Sequence, residues 1–87
     1  MLRPQNTETI DSQAVPLSAQ LDSLRVQEAL LVLRIHAHRV TASELLEEGT
    51  RAGKEIAARL TRGAALLSVD LNLVREERQR LERARSQ

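Results

Sequence analysis

The chain has 87 residues, room for one domain at most, and contains no Cys, Phe, Trp or Tyr. Without Cys there are no disulfides, thiolate metal sites or cysteine nucleophiles. Without aromatics the chain lacks the side chains that supply the largest burials in ordinary enzyme cores and pockets. Thirteen basic and twelve acidic residues leave a net charge of +1, too balanced to make nucleic acid or an anionic membrane the default partner.

Residues 1–16 are polar and aperiodic and are read as a flexible N-terminal arm. They hold no apolar run, so no signal peptide is expected. The longest strongly apolar run, 29–33, falls far short of the roughly 20 residues of a membrane span. A soluble, cytoplasmic chain is expected.

Both prolines lie within the first sixteen residues, so proline breaks no helix after Pro16. Pro16 suits a helix's first turn, Ser18 is a candidate N-cap, and Asp22 adds charge of the favourable sign. From Leu17 the spacing is helical. One stripe runs Leu17, Leu21, Leu24, Glu28, Leu31, Ile35, His38, Ala42, Leu45, in alternating steps of four and three. A second runs Val26, Leu30, Leu33, Ala37, Val40. Together they predict a broad apolar face, wider than a two-stranded zipper needs.

The pattern Thr41-Ala42-Ser43-Glu44 is a capping box that could restart a helix after a kink. Gly49 and Gly53 enclose no Leu, Ile or Val and make 49–53 the turn candidate. Glu47 and Glu48 oppose a helix end there, because the macrodipole disfavours acid at a C-terminus. Segment 41–53 is therefore open among a hairpin turn, a kink and continuous helix.

From Lys54 the period returns as Ile56 or Ala57, Leu60, Ala64, Leu67, Leu71, Val74, Arg78, Leu81. Leu66, Val69 and Leu73 are read as widening it, and Gly63 as letting another backbone approach. The charged end offers Glu76 and Arg80 as an i,i+4 pair. All basic residues but Lys54 are Arg, which suits bidentate pairing with Glu at a helix seam.

No motif carries chemistry. His36 and His38, two apart on a helix, face different ways and cannot chelate one metal. The run G-T-R-A-G-K at 49–54 has three residues between its glycines where a P-loop has four, and Glu55 where it needs Ser or Thr. G-x-x-x-G at 49–53 contains Arg51 and is no membrane-dimer motif. Neither a catalytic residue, a cofactor nor a metal is predicted, and the chain is not expected to be an enzyme.

The expected fold is all-α: an arm over 1–16, then a helical hairpin or coiled-coil region over 17–87, with helices at 17–47 and 53–84. A hairpin this short buries only part of each face, so stable folding is expected only in an oligomer or with a partner. The function expected is a non-enzymatic protein–protein interaction module, a small helical subunit or adaptor of a multi-protein complex. Its partners would be other helical chains, a hetero-oligomer ahead of a homo-oligomer. The contact residues predicted are Leu24, Leu31, Ile35, Leu60, Leu67, Leu71, Val74 and Leu81. One alternative is a helix-turn-helix DNA-binding protein over 40–60 with a C-terminal dimerisation helix. Arg51, Lys54, Arg59 and Arg62 would face DNA, but Glu44, Glu47, Glu48 and Glu55 would repel it. The other is a small chaperone masking a partner's helix.

Overall fold

The computed structural model describes residues 15–86. The predicted arm over 1–16 lies, but for its last two residues, outside the described residues. Two helices follow, α1 (Leu17–Glu48) and α2 (Arg51–Ser86). Apart from Val15, Pro16, Gly49 and Thr50, every described residue is helical, as expected of a run of good helix formers with no proline inside it.

Pro16 occupies the cap position of α1, with no side-chain cap. Its carbonyl accepts the Gln20 N–H at 3.1 Å, and the Gln20 side-chain amide donates to the Val15 carbonyl at 2.9 Å. Ser18 lies inside the helix and caps nothing. Nor does Thr41 restart one, since α1 runs unbroken past it. The neighbours Ala42 and Leu45 continue the buried stripe, and packing along that stripe outweighs the local capping signal.

Helix α1 ends at Glu48, against the macrodipole, because the turn chemistry behind it is strong. Gly49 takes the left-handed conformation at φ +73°, and its N–H donates to the Leu46 carbonyl at 3.2 Å. Glycine adopts that geometry without the Cβ penalty. Thr50 then caps α2, its hydroxyl accepting the Gly53 N–H at 2.9 Å. The turn is therefore Gly49 and Thr50 alone. Gly53, the predicted far edge of the turn, belongs to the first turn of α2 and is buried. A Cβ on Gly53 would lie 3.0 Å from the Leu45 carbonyl oxygen, so this glycine lets α2 start hard against the end of α1.

The helices are antiparallel and pack along their length. Glu28 meets Arg75 and Arg78, His38 meets Gly63, and Leu45 meets Gly53. The first predicted stripe of α1 is its seam: all nine positions are buried or half-buried. On α2 the seam takes Ala57, Leu60, Ala64, Leu67, Leu71, Val74, Arg78 and Leu81. Ala57 is buried and Ile56 is exposed, which resolves the alternative at that position. The centre joins Ile35, Ala64 and Leu71, flanked by Leu31 and Leu67. Leu21 is the one large side chain with no exposure at all among the described residues. Over 40–60 the two helices belong to the same antiparallel seam.

Candidate functional site

All eight residues predicted to contact a partner lie in this seam. Ile35, Leu71 and Leu81 are buried, and Leu24, Leu31, Leu60, Leu67 and Val74 are half-buried. In the hairpin they face the other helix of the same chain. The aliphatic surface left open is elsewhere.

That surface is the second stripe of α1. Val26, Leu30, Leu33 and Val40 are 41–63% exposed, and Ala37 between them is exposed too. The stripes do not merge into one broad face as predicted. Leu33 is two positions from Ile35, and Val40 two from Ala42. Two residues carry a side chain about 200° around a helix, so the second stripe lies on the far side of α1 from the seam. Leu66, Val69 and Leu73 do the same on α2. They do not widen its seam; each is more than half exposed on the outward side. The hairpin thus has one apolar seam inside and an aliphatic strip on each outer face. The signal for this was in the sequence, in the two-residue offset between stripes.

The seam contains one charged layer. The Glu28 carboxylate accepts from Arg75 Nε at 2.9 Å and from Arg78 Nε at 2.8 Å, and Arg78 Nη1 reaches Glu82 at 2.7 Å. The Glu28 and Arg78 side chains are about four-fifths shielded. Two carboxylates and two guanidiniums balance, with charge-assisted bonds between them. Only one axial offset of the helices brings all four together, so the layer fixes the register of an otherwise repetitive seam. Farther along, Arg80 pairs with Glu77, three residues before it, and not with Glu76.

Hydrogen bonding to Arg75, then Arg78, holds the Glu28 carboxyl below its ordinary value of 4.5 against the opposing effect of burial. A depressed carboxyl pKa stabilises the fold above the unfolded value, and that contribution is lost as pH falls through the folded one. The hairpin should therefore lose stability as pH drops below about 4.5. Glu28→Gln should be less stable than wild type at neutral pH and should lose less on acidification. Thermal melts between neutral pH and pH 3 measure this. Identical pH slopes for the two chains would show that Glu28 contributes nothing.

His38 is the seam's other polar position. Its Nδ1 lies 2.9 Å from the Arg34 carbonyl oxygen, to which it donates, and its ring covers Gly63, where a Cβ would stand 3.3 Å from Cδ2. Gly63 thus admits an imidazole, not another backbone. His36 points outward. Among the described residues no cluster of His, Asp or Glu could hold a metal ion, and no helix is long and apolar enough to cross a membrane. In comparisons with protein-family models, curated proteins and solved structures, nothing matches this chain.

Proposed function

We propose that the chain is a non-enzymatic interaction module, a small helical subunit or adaptor that contributes its hairpin to a larger helical assembly. The observation that carries this reading is the strip Val26, Leu30, Leu33, Ala37, Val40, exposed at heptad spacing on the side of α1 away from its own seam. A helix apolar on two opposite sides fits a position between two neighbours, and α2 supplies only one. Contiguous exposed apolar surface of this kind marks interaction sites. The seam residues Leu24, Leu31, Ile35, Leu60, Leu67, Leu71, Val74 and Leu81 would support binding by holding the hairpin, and the outward strip would make the contact.

The test is affinity purification of the full chain beside its Leu33→Asp variant, with circular dichroism on both. Leu33 is 63% exposed, so the substitution buries no charge in the hairpin's own seam. A stoichiometric helical partner, this chain or another, should be recovered with wild type and lost from the variant. Equal recovery by both chains would reject the strip as the contact.

A further inference from the structure

We infer that the partner presents an acidic helix to the hairpin, seated in a groove that runs beside the seam between α1 and α2 and held at its two ends by Arg39 and Arg75. This rests on the reading above that the chain is an interaction module. It names the partner's chemistry at a second surface, apart from the outward strip of α1.

Charge is unevenly distributed along the hairpin. Helix α1 has no acid over 29–43, and α2 has none over 56–69. The two stretches face each other in the antiparallel pair, since His38 meets Gly63 near the middle of both. They hold Arg34, Arg39, Arg59 and Arg62. None of the four is within ion-pair distance of a carboxylate among the described residues. The middle of the hairpin thus carries +4, and with +1 for the whole chain the remainder carries −3. Charge of one sign, uncompensated over about 21 Å of a rod at about 1.5 Å per residue, attracts a partner of the other sign.

The groove lies within this section and has a volume of about 450 Å³. Ile35 and Leu71, both buried, form its floor; His36 and Arg39 line it from α1, and Asn72 and Arg75 from α2. No acid lines it. The groove on the other side of the seam is smaller, about 310 Å³, and there Arg34 shares the lining with Asp70. Of the two grooves flanking the seam, only the first offers cations without a carboxylate of its own. Arg75 Nε donates to Glu28 at 2.9 Å, which pins the guanidinium, and its terminal nitrogens make no hydrogen bond among the described residues. Its charge is balanced by Glu28; what it offers the groove is a fixed fork of donors suited to a carboxylate. Arg39 is exposed and offers both charge and donors.

The two arginines are spaced for a helix. Arg75 stands level with Glu28, and from Glu28 to Arg39 is eleven residues of α1, about 16 Å. Eleven residues are also close to three turns, so acids at i and i+11 of a partner helix lie on one face at that separation. Aliphatic residues at i+4 and i+7 would rest on Ile35 and Leu71. An extended segment would instead set unpaired backbone groups on that apolar floor.

The probe is a fluorescein-labelled peptide of about 18 residues, long enough to form helix, with Glu at i and i+11, Leu at i+4 and i+7, and Ala and Gln elsewhere. Its fluorescence anisotropy, titrated with the full chain, should show saturable binding that weakens as salt is raised. Arg39→Glu should weaken binding about 10-fold, because an attraction becomes a repulsion. The same peptide with Gln for both Glu should bind several-fold more weakly. Arg34→Glu changes the net charge equally on the other side of the seam and should leave binding within about twofold.

Equal losses in Arg34→Glu and Arg39→Glu would make the attraction general and overturn the groove. Binding indifferent to Arg39→Glu, or no binding of the peptide, would overturn it too. Displacement of the peptide by a lower concentration of oligothymidylate would make the ligand a nucleic acid. Tighter peptide binding after Glu8→Gln with Asp11→Gln would make the occupant the chain's own N-terminal residues. Either result overturns the partner helix. Where the groove fails, the interaction-module reading still stands if the full chain recovers a partner that Leu33→Asp loses. If it recovers none, both readings fail.

Discussion

Leu71→Asp should unfold the hairpin, whereas Leu66→Asp should leave its helicity intact. Leu71 is 8% exposed and belongs to the central cluster with Ile35 and Ala64; Leu66, on the same helix, is 70% exposed. Removing a buried Leu side chain costs about 2–5 kcal/mol, and an unpaired carboxylate in its place adds a desolvation penalty. The loss should be at least about 3 kcal/mol, a large part of the roughly 5–15 kcal/mol that holds an ordinary domain together. Circular dichroism against temperature checks the pair. Matching melts for the two variants would contradict the assignment of seam and outer face. Loss of partner binding in Leu71→Asp or Leu67→Asp would not locate an interface, because both strike the seam first.

Gly53→Ala should destabilise the hairpin by about 2 kcal/mol, the reverse of what the same change does inside an exposed helix, where it gains about 1 kcal/mol. The added Cβ would lie 2.7 Å from Thr50 Oγ1 and 3.0 Å from the Leu45 carbonyl oxygen. The first atom is the cap of α2, worth about 1 kcal/mol. The second is backbone and moves only if the helices separate at the turn. Thermal or urea unfolding gives the sign, and a stabilised variant would refute the close approach.

The main features of the fold were legible because they are periodic. Alternating steps of four and three marked the α1 seam position by position, including Glu28 and His38, which are polar. The helix ends were less legible. The Thr41 capping box and Ser18 are valid local signals that packing and Pro16 overrule. The turn was placed in the right segment but drawn too long, since Gly49 is needed for its left-handed backbone and Gly53 for lack of a side chain. Those are different physical reasons that look alike in a sequence.

The candidate site was the least legible part. Residues such as Leu31 and Leu71 have the strongest heptad pattern, and a chain supplying both helices satisfies that pattern internally. The weaker strip around Leu33 is what remains exposed. Arg75 and Arg78 could not be assigned to Glu28 without the axial offset of the helices, which a repetitive stripe does not define.

The two-residue turn also fixes how force would travel through the molecule. Because α1 and α2 have nearly equal lengths, 32 and 36 residues, the chain enters and leaves at the same end. The Gly49 tip lies about 48 Å away at about 1.5 Å per residue. Tension applied between the Leu17 end of α1 and the Ser86 end of α2 would peel the helices apart layer by layer, not slide them past one another. The first layers loaded would be those of Leu21 and Leu81, then the Glu28 ion pairs. The fully buried Leu21 is thus the latch of the hairpin, at the end where strain arrives.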